Sequence, residues 1–280
     1  MTRGKIMRIA AVLLLVLAAV LAVKAWRDTL RMPVVERTTV TLADLPPGTP
    51  PLTIALISDI HVAGPDMPPA RLAEIVTQIN ALEPDIVAIA GDFVGDKPTA
   101  THTYAPEEVI APLGKLRPKL AAVAVPGNHD HRVGLPPLKR ELEKVGIVLL
   151  ANEAQRFGPV TIGGLDDLFT RHIDLPATLA AMDAKGTPQI MLTHSPEHFF
   201  YLPDHVQLML AGSTHCGQIA YPWGGAPIFL SSLSDEYTCG RADAGGKTLI
   251  VSAGLGTSFM PIRLFTQPDI WLIELRPPER

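Results

Sequence analysis

The chain has 280 residues, enough for one large domain or a domain with an appendage. Hydrophobic residues make up 47% and charged residues 19%, which excludes a disordered chain. A net charge of −4 excludes a generally basic coat for nucleic acid, and two cysteines exclude both a disulfide framework and a four-cysteine zinc site.

The first element is apolar. Residues 9–23 are an unbroken run of 15 apolar side chains, preceded by Arg3, Lys5 and Arg8 and followed by Lys24, Arg27 and Arg31. As a helix the run spans about 22 Å, short of a hydrocarbon core of about 30 Å. Residues 6–26 lengthen it into a membrane contact if Arg8 and Lys24 snorkel. Two readings stand: a retained anchor, and a signal peptide whose best cleavage match is Val23-Lys24-Ala25. A buried core helix fits poorly with charges on both flanks. The N-terminal amine and Asp28 lean toward an inside N-terminus, which puts the rest of the chain on the outer, periplasmic face of a bacterial-type inner membrane. Cleavage would export it instead.

Residues 34–42 are rich in β-branched side chains and read as a strand. After the turn at 45–51 the pattern becomes α/β. Apolar runs at 52–58, 85–91, 120–125, 147–150, 159–164, 189–194, 206–212, 247–253 and 269–275 read as strands. Helices are expected at 69–82, where Leu72, Ile75, Val76 and Ile79 share a face, and around 106–114, 137–144 and 176–184. Continuous apolar strands alternating with helices imply sheets covered on both faces, and such folds bind ligands beyond the carboxyl ends of their strands.

Polar residues collect at those ends. Strand 52–58 runs into Asp59-Ile60-His61, whose side chains share a side if the chain stays extended. Strand 85–91 ends in Gly91-Asp92, and strand 120–125 in Pro126-Gly127-Asn128-His129-Asp130. Strand 189–194 ends in Thr193-His194-Ser195, and strand 206–212 leads into Ser213-Thr214-His215-Cys216-Gly217-Gln218. Any one of these is common. Together they supply the mixed oxygen and nitrogen donors that suit manganese, iron or zinc. The histidines at 102, 131, 172 and 205 read as surface or loop residues, and His198 as a residue near substrate or without a role. Phe199-Phe200-Tyr201 reads as core packing or as an apolar substrate entrance, and Arg263 as a partner in an ion pair or a contact for an anion.

The order Asp-x-His, Gly-Asp, Gly-Asn-His-Asp, His and Gly-x-x-His resembles the calcineurin-like metallophosphoesterases over residues 52–275. Gly217-Gln218-Ile219, Gly254-Leu255-Gly256 and Pro261-Ile262-Arg263-Leu264-Phe265 are similar to its membrane-associated, YaeI-like phosphodiesterase subgroup. The resemblance implies a four-layer α-β-β-α sandwich at 34–280, after an N-terminal hydrophobic helix in an anchor or signal segment at 1–31. It implies two divalent ions: Asp59, His61 and His215 on the first, Asn128 and His194 on the second, and Asp92 bridging. It makes His129 the catalytic histidine, with Asp130 orienting it. The family pattern Gly-His-x-His-Gly-Gly-Gln reads here Gly212-Ser213-Thr214-His215-Cys216-Gly217-Gln218. Ser213 stands where a second-ion ligand is expected, so that site is expected to be weakened. Cys216 stands where the family has glycine, as a small turn residue, a disulfide partner of Cys239, or a reactive thiol. The implied activity is hydrolysis of a phosphodiester, membrane-associated or lipid-linked. A broad phosphomonoesterase and a ligand-depleted binding scaffold are the alternatives.

Overall fold

The central strands are apolar on both faces because each face has its own cover. The computed structural model describes residues 2–228 and 231–278, which carry two six-stranded sheets. In the first, β1 (Val34–Thr41) runs parallel to β12 (Asp269–Arg276). β12 is antiparallel to β2 (Leu52–Ile57), and β3 (Ile86–Ile89), β4 (Ala121–Ala124) and β5 (Ile147–Leu149) follow in parallel. In the second, β7 (Val160–Leu165), β8 (Gln189–Thr193), β9 (Val206–Ala211) and β11 (Lys247–Val251) are parallel, with β6 (Glu153–Phe157) and β10 (Gly240–Ala244) as antiparallel edges.

Period-two alternation assigns the faces. Ile54 and Leu56 of β2 meet Ile190 and Leu192 of β8 and Leu208 and Leu210 of β9 in the core between the sheets. Ala55 and Ile57 turn outward, under α2 (Pro69–Asn80), α3 (Pro106–Ile110) and α5 (Leu135–Lys144). Met191 and Met209 turn outward on the other side, with Met182 of α6 (Leu175–Asp183). The architecture is the expected α-β-β-α sandwich. The sequence reading missed β6 and β10. Both are edge strands with polar, solvent-facing side chains, and a search for apolar runs passes over such strands.

Helix α1 (Arg3–Leu30) precedes the sheets. Its most apolar window has a mean hydropathy of 2.8 and none of it is buried, so α1 is long and apolar enough to cross a membrane. Its carboxyl end is docked instead. Ala25, Asp28 and Thr29 are buried. Arg71 of α2 donates from Nη2 to the carbonyls of Thr29 (2.7 Å) and Arg31 (2.9 Å), and the Arg263 amide donates to Thr29 Oγ1 at 2.7 Å.

Arg263 is fully buried. Its Nη2 donates to the carbonyls of Ala253 (2.7 Å), Gly254 (3.0 Å) and Gly256 (2.6 Å). The expected ion pair is thus replaced by a clamp on backbone, because the loop at 253–256 turns three carbonyls inward. Arg263→Leu leaves those carbonyls without their donor, at about 1–3 kcal/mol for each buried group left unsatisfied. A lowered urea midpoint is expected for the full chain in detergent.

Candidate metal centre

The carboxyl ends of β2, β3 and β4 in one sheet face those of β8 and β9 in the other. Asp59 and His61 follow β2, Asp92 follows β3, and His194 and His215 follow β8 and β9. Asn128 and His129 open α4 (Asn128–Val133), directly after β4. The expected extended geometry at Asp59 and His61 does not hold. Both have φ 47°, and Asp92 (57°), Ser213 (70°) and His215 (51°) share this left-handed region. Such conformations cost non-glycine residues about 1–3 kcal/mol each and persist only where surroundings fix them. Here the fixing is backbone: the Asp59 amide donates to the Gly91 carbonyl (3.0 Å) and the His61 amide to the Asp92 carbonyl (2.9 Å). Gly91 turns at φ 83°. At Gly127 a Cβ would sit 2.2 Å from Asp92 Oδ1, so only glycine lets β4 pass that carboxylate.

Asp92 Oδ2 is the hub. It lies 3.3 Å from His194 Nε2, 3.5 Å from His61 Nε2 and 3.9 Å from His129 Nε2. His61 Nε2 and His215 Nε2 face each other at 3.2 Å, and Asp59 Oδ1 is 3.4 Å from His215 Nε2. Three triads each gather ligand atoms within 4.8 Å of one another: Asp59, His61 and His215; His61, Asp92 and His129; Asp59, Asp92 and His194. Asn128 is buried and lines the same cleft, about 240 Å³ in volume.

The donor set fits cations. Among the described residues, Asp59 Oδ1 and His194 Nε2 are buried without a hydrogen-bond partner. His194 Nδ1 is 2.8 Å from the Ala90 carbonyl, which fixes the tautomer and leaves Nε2 as the ligand atom. Burial pushes the His61 pKa down to about 3 and holds His215 well below its ordinary value, so both are neutral donors. Burial also opposes charge on His194, but Asp92 and Asp59 outweigh it and hold that imidazole well above its ordinary range. The field that keeps a proton there equally attracts a metal ion.

His129 stands at the cleft wall. Its amide donates to Asp92 Oδ1 at 2.9 Å, and its Nδ1 pairs with Asp96 Oδ1. Asp130 does not orient it, which corrects the expectation. The Asp130 carboxylate accepts from the amides of Asp92, Gly127 and Phe93 (each 2.9 Å) and of Val94 (3.3 Å). Burial and the Asp92 charge push it up to about 7. It braces the loop that carries Asp92. Asp96, missed in the sequence, lies four residues past Asp92 in Gly91-Asp92-Phe93-Val94-Gly95-Asp96, and that spacing is its one local signal.

Ser213 lines the cleft, and its amide donates to Asp59 Oδ2 at 2.8 Å. Of the three readings of Cys216, the disulfide to Cys239 is the one formed; it pins the His215 loop, as does the bond from Thr214 Oγ1 to the Thr238 carbonyl (2.6 Å). His131 is not a plain surface residue: its Nε2 is 2.7 Å from Asp166 Oδ1, and its ring stacks on His172. His198 lies in a separate hollow with Glu197. Phe199 is core, whereas Phe200 and Tyr201 are exposed.

The family model for the calcineurin-like phosphoesterases matches residues 52–217. The chain belongs to that family. It is 30% identical over 95% of its length to a Danio rerio protein named transmembrane protein with metallophosphoesterase domain, covering 62% of that protein. It is 31% identical to an uncharacterized metallophosphoesterase of Aquifex aeolicus, over 86% of this chain and 91% of the relative. It is 29% identical to the uncharacterized metallophosphoesterase YkuE of Bacillus subtilis, over 83% and 82%. Against several relatives the chain spans about 60% of their length. The family uses divalent metals, and the three triads are this chain's candidates for holding them.

Because a ligand imidazole must shed its proton to bind metal, affinity is expected to rise with pH. Titration of the metal-free protein with Mn between about pH 6 and about pH 8 checks this, with proton release on binding as the second readout. His194→Gln is expected to flatten the slope, since Asp92 and Asp59 hold that proton most firmly.

Proposed function

We propose that the protein is a membrane-anchored hydrolase of phosphate esters, phosphodiesters first, working with two divalent ions drawn from manganese, iron and zinc. The observation that carries this reading is the convergence of Asp59, His61, Asp92, His194 and His215 from four strand ends beside His129, which follows a fifth. Bound there, the ions neutralise the charge of the ester and acidify water. Asp59, His61 and His215 would hold one ion, Asn128 and His194 the other, and Asp92 would serve both.

The remaining residues handle the substrate. With Nδ1 taken by Asp96, His129 turns Nε2 toward Asp92 and the cleft, where it holds the proton that the leaving oxygen receives. Arg132, also on the cleft wall, offers a guanidinium to the phosphate oxygens. Helix α1, and a relative named as a transmembrane protein, support the anchor. An anchored cleft works on esters in or at a bilayer, hence a lipid-linked phosphate. Three basic residues lie on each side of the apolar run, and the N-terminal amine with Asp28 supports the reading that puts the domain on the outer face.

Elemental analysis of the purified protein, paired with turnover of a chromogenic phosphodiester in Mn, tests the reading. One or two equivalents of metal with turnover support it; a folded, metal-free and inactive protein overturns it in favour of the binding scaffold. Asp96→Ala is expected to lower kcat about 10–100-fold, as loss of a partner that orients a site histidine does. The pH profile of kcat is the second readout, because the His129 partner is gone.

Ser213 is the one feature that favours the scaffold. Its φ of 70° lies where histidine is tolerated. Ser213→His should raise both bound metal and activity, and no gain in either would refute a weakened second site.

A further inference from the structure

We infer that the face built from residues 219–228 and 259–265 sits in the headgroup layer of the bilayer that α1 crosses, so that the catalytic cleft opens onto lipid. This rests on the reading of α1 as an anchor and of the cleft as a phosphoesterase site.

The face is apolar and exposed. Trp223 is 81% exposed, Ile228 68% and Phe259 61%, whereas Trp271 in the sheet is 9% exposed. Residues 219–228 contain no charged side chain, and the one charge within 259–265, Arg263, is buried. Aromatic rings with a polar edge collect at membrane interfaces, where one end is apolar and the other wet.

The two segments form one surface. The rings of Tyr221 and Trp223 stack with centroids 5.3 Å apart. The Ala220 amide donates to the Leu264 carbonyl at 2.8 Å. The side chain of Gln218 donates to the Met260 carbonyl (3.0 Å) and accepts from the Ser258 amide (2.8 Å).

The surface continues into α1, and this fixes its depth. Lys24 Nζ lies 4.8 Å over the ring of Phe265, and the Phe265 amide donates to Asp28 Oδ2 at 3.3 Å. Lys24 is the first residue past the apolar run 9–23, so it marks where a membrane-crossing helix leaves the hydrocarbon. Phe265 is held at that level, and the segment carrying Tyr221 and Trp223 is bonded next to it through the Ala220 amide on the Leu264 carbonyl. Lys24, Arg27 and Arg31 at the same end suit anionic headgroups.

A groove connects this surface to the chemistry. It holds about 340 Å³ and is lined by Ile219, Ile228, Phe259 and Met260. At its inner end are His215 and Ser258, which also line the catalytic cleft. The occupant that fits is the apolar tail of a lipid whose phosphate lies in the cleft, entering sideways from the bilayer.

The test uses the full chain in phosphatidylcholine nanodiscs. The fluorescence of Trp223 is read as the difference between the protein and its Trp223→Phe variant, with lipids brominated in their acyl chains or not. Loss of the Trp223 signal in brominated lipid alone supports the inference. Equal emission in both lipids overturns it, as does a Trp223 signal that changes only with protein concentration, which would make the surface a contact between copies. In the same nanodiscs, Ile228→Glu should lower turnover of a long-chain phosphodiester about tenfold relative to its short-chain soluble counterpart, the loss of roughly two buried methylenes. Equal loss on both overturns the groove. Turnover of the soluble ester by the unmodified chain tests the hydrolase reading by itself, so either idea can fail without the other.

Discussion

Two carboxylates held inside the protein, Asp59 and Asp92, set the terms for the structure around them. Taking an ion out of water costs several kcal/mol after relaxation unless other groups replace its hydration. The chain replaces part of it with backbone amides: Ser213 on Asp59 Oδ2 and His129 on Asp92 Oδ1. The rest falls to imidazoles and to whatever cation they hold. The left-handed turns at five site residues follow from this demand, because amides and ligand atoms must reach the same carboxylates from different strands. So does the side-chain-free passage of Gly127 beside Asp92.

The docked end of α1 extends the same construction outward. Arg263 clamps the loop at 253–256, where Gly254 and Gly256 pack against Asp59, Ile60 and His61, and the amide of Arg263 holds Thr29. Arg71 takes the carbonyls at the end of the helix. The path from helix to the candidate metal centre is therefore one of buried hydrogen bonds rather than a flexible linker. The cleft keeps a set distance and tilt from the base of α1.

The sequence made the strands legible because their apolar runs stop at polar residues, and the fold class brings strand ends together. Asp59, His61, Asp92, His194 and His215 could be named on that ground. Asp130 departs from the expected role for a reason of geometry. Adjacent residues on a helix diverge by about 100°, so the neighbour of His129 points away from it, and the backbone amides of the Asp92 loop take its carboxylate. Asp96 reaches His129 only because the loop after β3 folds back, and nothing at its own position distinguishes it from a solvated acid. Edge strands β6 and β10 escaped because one bare face leaves no apolar run to read.

Strand β12 lies between β1 and β2, although nearly the whole chain separates it from them. On the ribosome α1 emerges first, and β1 then has no partner until β12 follows, a delay on the order of tens of seconds at about 5–20 residues per second. Until then the first sheet lacks the strand that joins β1 to β2. Until β12 arrives and closes the gap, β1 and β2 keep open strand edges that invite wrong pairing.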